Sequence, residues 1–182
     1  MQLCPVVCRK KESHIVIFFS CKLPRDCIKI TNHKCIFFIK FRSFGMNYTI
    51  YIKEKNLATN IKAAVHEYIK RLSPFCKATV CCAGKKKAAF ADSDINILIT
   101  PDQTGKHTIS SEAFARKISD YALGGYSKIS YFIGFSPDDL PILYDQTFFV
   151  SSMTLSNEIC LIAFTEQLYR AYTINNNITY HK

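Results

Sequence analysis

The chain has 182 residues, of which 48% are hydrophobic and 21% are charged, a balance typical of one globular domain with a real core. This composition excludes an intrinsically disordered chain, and no run reaches the roughly 18 apolar residues of a transmembrane helix. The net charge of +10 suggests a polyanionic partner, but residues 1–45 carry +7 of it. The total charge is therefore a weak argument for nucleic-acid binding.

Residues 1–45 differ from the rest of the chain in the pattern of their apolar residues. Their short apolar runs, IVIFF and CIFFIKF, show no sustained helical or strand period. Codons for Arg42 and Ser43 can form a purine-rich ribosome-binding sequence upstream of Met46. We expect either that translation starts at Met46 or that residues 1–45 are a disordered extension, with residues 46–182 as the domain.

The nine cysteines indicate a reduced, cytoplasmic protein. Their number is odd, and Cys81 and Cys82 are adjacent in what is predicted to be a buried strand, which does not fit a secreted disulfide framework. The five cysteines of residues 1–45 are irregularly spaced and include no C-x2-C pair, so no metal site is expected.

From Met46 onward, predicted strands alternate with predicted helices. NYTIYIK predicts a strand, and the apolar stripe of LATNIKAAVHEYIKRLSP predicts a helix that ends at Pro74. KATVCCA (77–83) predicts the second strand, and a basic GKKK loop follows it. DINILIT (94–100) predicts a parallel strand that is covered on both faces.

The second half of the domain continues this alternation. Ser110 and Ser111, followed by Glu112, predict the cap and the acidic first turn of a helix that runs to about Leu123. KISYFIG and TFFVSS predict the fourth and fifth strands, and Ser156 can cap the last helix, whose amphipathic part is expected from Phe164 to about Ile174. The order predicts an α/β fold with a parallel sheet and right-handed crossovers.

Ligands of such sheets bind beyond the carboxyl ends of the strands, which places function in TPDQTGKHTISS, GFSPDDLP and SSMTLSN. Each loop alone also fits an ordinary structure. SSMTLSN offers backbone amides at a helix entrance, either to a polar ligand or simply to a capped helix. Tyr169 and Tyr172 fit helix packing better than base stacking, and Lys85–Lys87 fit a solvated loop better than a phosphate track.

Five stretches become specific in combination: EYIKRLSPF, GKHTISSEAFA, ISYFIG, SSMTL and EQLYRAYTINNNITYHK. In this order they resemble the ribosomal RNA large subunit methyltransferase H family, SPOUT-class enzymes that methylate N3 of a pseudouridine in 23S rRNA. The resemblance covers residues 46–182. It implies an α/β parallel-sheet SPOUT fold with a C-terminal trefoil knot, S-adenosyl-L-methionine as methyl donor, and a homodimer that acts on 23S rRNA in the ribosome.

The resemblance also implies roles for individual residues. In the family the terminal Tyr-His-Lys stretch packs beside the methyl donor of the dimer, which makes Tyr180 and His181 expected catalytic residues. His181 is the candidate general base for the N3 proton, and Arg170 is the candidate to grip an RNA phosphate or the donor carboxylate. The expected donor-binding residues are Pro101, Gly134, Phe135, Val150, Ser151, Ser152, Met153, Thr154 and Leu155.

Departures from the family pattern concentrate at the donor loops. Phe135 stands where the family has the second glycine of an IGG turn, so its ring could obstruct the pocket or stack on adenine. Pro101 replaces a usual Leu, and Ser156-Asn157 replaces Pro-His. Residues 83–94 lack about a helix that the family usually carries there.

These departures leave more than one class of function open. The first is a divergent S-adenosyl-L-methionine-dependent methyltransferase, which is favoured because Arg170, Tyr180 and His181 are kept together. The second is a non-catalytic SPOUT-like dimer that binds ribosomal RNA. The third is a general nucleic-acid binder driven by the basic residues of 1–45, whose affinity would fall steeply with salt.

Overall fold

The computed structural model describes residues 7–11, 14–18, 45–84, 90, 92–100, 109–140 and 143–180. The chain divides into two compact units, Met1–Lys40 and Phe41–Lys182. In the first unit, β1 (Val7–Lys11) and β2 (His14–Phe18) pair as an antiparallel hairpin. The sequence pattern did not predict these strands, although the β-branched and aromatic residues of IVIFF have high strand propensity.

The described part of the second unit is built on a five-stranded sheet in the order β4-β3-β6-β5-β7. Every neighbouring pair is parallel, which confirms the predicted α/β fold with a parallel sheet. The strands are β3 (Asn47–Ile52), β4 (Lys77–Cys82), β5 (Ile95–Thr100), β6 (Lys128–Ile133) and β7 (Gln146–Phe149).

Three helices pack on one face of this sheet: α1 (Thr59–Leu72), α2 (Ser111–Leu123) and α3 (Asn157–Asn175). The crossovers β3-α1-β4 and β5-α2-β6 run in the same direction across the sheet, so right-handed connections place α1 and α2 on the same side. Within the described ranges no helix is long and apolar enough to cross a membrane.

Helix α3 lies centrally, in contact with both α1 and α2. Its Leu161, Phe164 and Leu168 are fully buried, and the Phe164 ring lies 4.5 Å from the ring of Tyr131 on β6. The helix begins at Asn157 because the Ser156 hydroxyl caps it by accepting a hydrogen bond from the Ile159 amide. The predicted cap is confirmed, and the regular helix starts well before the amphipathic part expected from Phe164.

The other sheet face carries a smaller apolar cluster of Tyr51, Leu98, Phe132 and Phe135. Phe90 and Leu140 cover it; Phe90 precedes β5 in the chain, and Leu140 follows the short 3-10 helix Pro137–Asp139 before β7. Leu98 is thereby buried on this face while Ile97 and Ile99 are buried under the helices, as DINILIT predicted.

The prediction that Cys81 and Cys82 lie in a buried strand is wrong. They belong to β4, an edge strand of the sheet, where Cys81 is half-buried and Cys82 is exposed. The run TVCC is apolar, as central strands are. The position of a strand in the sheet, however, depends on which strands it pairs with. The four cysteines of residues 45–180 are all unpaired.

Candidate active site

A cavity of about 330 Å³ opens at the carboxyl ends of β5, β6 and β7 and at the entrance of α3. This is where an open parallel sheet binds ligands, and the volume suits a small molecule. Ile99, Ile133, Val150 and Leu155 form its apolar wall. Its polar groups are supplied by Lys53, Thr100, Ser136, Asp139, Ser151 and Asn157.

Gly134 forms the turn that follows β6. Its φ of +78° lies in the left-handed region, and a β-carbon there would lie 2.5 Å from the side-chain atoms of Asn157. Asn157 is held in place because its amide nitrogen donates a hydrogen bond of 2.8 Å to Glu54. Both the backbone conformation and the close approach of Asn157 therefore require glycine.

Phe135 lines the cavity but is anchored in the apolar cluster of the opposite sheet face. The residue is 8% exposed, and its ring packs edge-to-face against Phe132 and Phe90, with centroids 5.9 and 6.0 Å away. The cavity keeps its volume with this ring in place, so Phe135 does not fill the pocket.

An ion pair stiffens the segment that closes the cavity wall. Lys53 Nζ lies 2.7 Å from Asp139 Oδ2, and the Ser136 amide donates to the same carboxylate at 2.8 Å. The hydrogen bond from Lys53, followed by those from Ser136, holds the pKa of Asp139 well below its usual range. The short 3-10 helix Pro137–Asp139 is thereby tied to the end of β3.

A hydrogen bond within the loop before α3 shapes this part of the cavity wall. Ser151 Oγ accepts a hydrogen bond of 3.0 Å from the Met153 amide, which fixes the turn between β7 and the helix. Cys160, one turn into α3, completes the wall. Burial raises the pKa of the Cys160 thiol to about 11, so it is an uncharged part of the lining at neutral pH.

The C-terminal tail folds back along α3. Asn177 adopts φ +53°, and the amides of Ile178 and Asn177 donate to the carbonyls of Thr173 and Ile174 at 2.8 and 3.1 Å. This pattern is a Schellman motif, which reverses the direction of the chain at a helix end. Tyr180 is thereby brought next to Tyr169.

Arg170 and Tyr180 form one cluster on the outer side of α3. The guanidinium carbon of Arg170 lies 4.8 Å from the centre of the Tyr180 ring, and its Nη2 lies 2.7 Å from Glu166 Oε1. Burial, together with a hydrogen bond to Tyr68, raises the pKa of Tyr180 to about 12. The Tyr180 phenol is therefore a neutral hydrogen-bonding group at physiological pH.

Six of the nine expected donor-binding residues line the cavity: Gly134, Phe135, Val150, Ser151, Met153 and Leu155. Ser152 and Thr154 are exposed on the same loop and are not part of the lining. Pro101 and His181 lie outside the described residues, as do Lys85–Lys87 and most of the loop between β5 and α2.

The expected catalytic residues Arg170 and Tyr180 are brought together but do not line the cavity of their own chain. Arg170 follows Cys160 by ten residues on α3, which is about 15 Å along the helix axis. Arg170 and Tyr180 therefore lie apart from the cavity of the same chain. Tyr172, in contrast, is a core residue, because it is fully buried with its hydroxyl 2.8 Å from that of Tyr48.

Sequence reasoning missed the cavity residues Lys53 and Cys160. Asp139 and Asn157 belong to the predicted loops GFSPDDLP and SSMTLSN but were not named as donor-binding residues. Lys53 reaches the site because its amide bonds to the Ile133 carbonyl at 3.0 Å, which depends on β3 pairing with β6. No local pattern reveals that pairing. Ile99, Thr100 and Ile133 could have been found, since they end parallel strands.

The sequence of the second unit matches a family of known proteins. A family model described as "Predicted SPOUT methyltransferase" matches residues 46–181. The chain is 32% identical over 159 residues to ribosomal RNA large subunit methyltransferase H of Exiguobacterium sp., a match that covers 75% of this chain and 100% of the relative.

Two further relatives carry the same name. The protein of Latilactobacillus sakei is 31% identical over 153 residues, with 72% of this chain and 94% of the relative covered. That of Clostridioides difficile is 30% identical over 159 residues, with 75% of this chain and 100% of the relative covered. The chain therefore belongs to the SPOUT methyltransferases and, within them, to the ribosomal RNA large subunit methyltransferase H family as a divergent member.

Proposed function

We propose that this protein is an S-adenosyl-L-methionine-dependent methyltransferase that acts on N3 of a pseudouridine in 23S ribosomal RNA. The observation that carries the proposal is the cavity at the carboxyl ends of β5, β6 and β7, lined by six residues expected to hold the donor. Family membership and the names of the relatives support the reaction and the substrate class.

The donor supplies a methyl group on a positively charged sulfur. Ile133, Val150 and Leu155 offer an apolar surface for its adenine, and Ser151 and Asn157 offer hydrogen-bonding groups. The bare Gly134 turn lets Asn157 approach the end of β6, which keeps the wall of the cavity compact.

The acceptor nitrogen must lose a proton before it can attack the methyl group. We assign this proton to His181, the histidine at the end of the tail. Tyr180, a neutral phenol, is suited to donate a hydrogen bond, and the planar guanidinium of Arg170 is suited to bind a phosphate.

Because Arg170 and Tyr180 lie away from the cavity of their own chain, the proposal includes a homodimer in which the tail of one copy completes the site of the other. A C-terminal trefoil knot belongs to the same proposal. The knot rests on membership of the SPOUT family. A ribosomal substrate likewise supports a cytoplasmic location.

The direct test is mass mapping of 23S rRNA from cells with and without the gene. We expect one methyl group on a pseudouridine to disappear with the gene and to return when the purified full chain and S-adenosyl-L-methionine are added to the isolated ribosomes. An unchanged modification map would contradict the proposed reaction.

The departures from the family pattern at the donor loops, among them Ser156-Asn157 in place of Pro-His, favour one alternative, a non-catalytic dimer that binds ribosomal RNA. Binding and methylation assays with the same isolated ribosomes distinguish the two functions. Co-sedimentation of the chain with ribosomes, with neither donor binding nor methyl transfer, would support the alternative.

A further inference from the structure

Charge is distributed unevenly over the second unit. Residues 45–87 carry nine Lys and Arg against two Glu, a net charge of +7. Residues 88–182 carry six Lys and Arg against ten Asp and Glu, a net charge of −4. The basic part comprises β3, α1 and β4, which form one edge of the sheet with the helix that crosses over it.

The outer face of α1 concentrates part of this positive charge. Lys62, His66 and Lys70 are all exposed and follow one another at intervals of four residues. This spacing places them in one row about 12 Å long on the helix surface. Among the described residues, neither Lys62 nor Lys70 has an ion-pair partner.

Arg71 adds a positive charge at the end of the helix, about 100° around its axis from Lys70. Its Nε lies 2.8 Å from Glu67, and its guanidinium lies 5.8 Å from the ring centre of Tyr68. Both members of the ion pair are about half exposed, and pairs of this kind are weak, so Arg71 can exchange Glu67 for a phosphate. The sequence adds Lys85–Lys87 directly after β4, although their placement lies outside the described residues.

We propose that the outer face of α1, defined by Lys62, His66, Lys70 and Arg71, binds the phosphate backbone of the RNA substrate. The inference rests on the proposed function and adds to it a contact surface separate from the donor cavity. Ammonium and guanidinium groups on one helix position a nucleic acid without reading its sequence. The excess of acids on the rest of the unit repels phosphate and so orients the α1 edge toward the RNA.

A membrane surface fits this face less well than RNA does. Amphipathic helices that bind lipid combine basic residues with large exposed apolar side chains. The exposed large hydrophobic residues of the described chain lie elsewhere, at positions such as Leu123, Leu143 and Met153. On α1 the buried side is used for the core by Ile61, Val65 and Leu72.

The test compares two pairs of substitutions in the full chain. The first is Lys62→Gln with Lys70→Gln on α1. The control is Arg116→Gln with Lys128→Gln, which removes the same charge from exposed positions on the acidic part. The dissociation constant for a 23S rRNA transcript is measured from 50 to 300 mM potassium chloride, about the range over which phosphate contacts change affinity steeply.

We assume that each lysine neutralises one phosphate. The two α1 substitutions then make the slope of log affinity against log salt shallower by about 1.4 and weaken binding about 25-fold at 0.1 M salt. The control pair leaves both quantities near those of the wild type. Equal effects of the two pairs, or an unchanged slope for the α1 pair, would overturn the proposal. So would loss of binding to phosphatidylserine vesicles with RNA binding intact.

Calorimetric titration with S-adenosyl-L-methionine separates this inference from the proposed function. If the wild type binds the donor and the α1 pair keeps its RNA affinity, only the proposed surface is wrong. If the wild type binds no donor, the proposed function itself fails, whatever the RNA measurements show.

Discussion

At the residue scale, the close approach of Gly134 and Asn157 shapes one wall of the cavity. The contact joins the end of β6 to the first turn of α3, and Glu54 at the end of β3 holds the asparagine. The sequence placed Gly134 in a functional loop, but it could not reveal that Asn157 fills the space above it. That contact depends on the path between β7 and α3.

Replacement of Gly134 by alanine should therefore be more harmful than replacement of Gly125. Both residues have φ near +80°, so each Ala variant carries a backbone strain of about 1 kcal/mol. Only Gly134→Ala also meets Asn157, because the space at Gly125 is open. Urea unfolding should show an additional loss of about 1–3 kcal/mol for Gly134→Ala. Equal losses for the two variants would contradict the described contact.

A second residue-scale prediction concerns the buried tyrosines under the helices. Tyr131 is fully buried, and its hydroxyl has no hydrogen-bond partner among the described residues. Tyr131→Phe should therefore raise the free energy of unfolding by about 1 kcal/mol, because an unsatisfied polar group is removed.

Tyr172→Phe is the matched comparison. It removes the partner of the Tyr48 hydroxyl and should lower the free energy of unfolding by about 1 kcal/mol. Chemical unfolding of both variants decides the matter. A loss of stability in Tyr131→Phe comparable to that in Tyr172→Phe would mean that the Tyr131 hydroxyl is bonded after all.

At the element scale, short sequence motifs correctly predicted the helix caps, which depend only on residues close together in the chain. Ser110 and Ser156 cap α2 and α3 as expected, because a hydroxyl before an amphipathic run acts on amides only three residues away. The position of β4 at the sheet edge was not predictable, because the sequence TVCC is equally compatible with a central strand. The Asn run at the end of α3 is visible in the sequence, but the Schellman motif forms there because one residue, Asn177, adopts a positive φ.

That motif gives an element-scale prediction for the tail. Asn177→Val places a β-branched residue at φ +53°, which is strongly disfavoured, whereas Asn177→Gly accepts this conformation without strain. The Val variant should lose about tenfold in methyl-transfer rate with donor binding unchanged, because the turn no longer holds Tyr180 beside Arg170. The Gly variant should stay within about twofold of the wild type. Equal rates for both variants would show that the turn does not position the tail.

At the scale of the whole molecule, the described residues of one chain form the cavity, and Arg170 and Tyr180 do not line it. The family resemblance implied the donor loops and the catalytic tail, and the structure separates them by half the length of α3. Neither composition nor periodicity could have shown this separation. The uneven charge of the second unit was equally hidden, because the net charge of the chain is dominated by residues 1–45.

A composite site predicts complementation between two inactive variants. Gly134→Ala damages the cavity, and His181→Ala removes the proposed base from the tail. In a random mixture half of the dimers contain one chain of each kind, and each of these has one intact site, which restores about a quarter of wild-type activity. Methyl transfer by the refolded mixture measures this directly. Activity no higher than that of either variant alone would exclude a shared site.

The measurement that tests the central claim most directly is calorimetric titration of the full chain with S-adenosyl-L-methionine, beside the Gly134→Ala variant. Binding in the cavity predicts saturable heat with about one donor per chain for the wild type, and loss or marked weakening of that heat in the variant. Absence of binding by folded wild-type protein at about 1 mM donor would contradict the account.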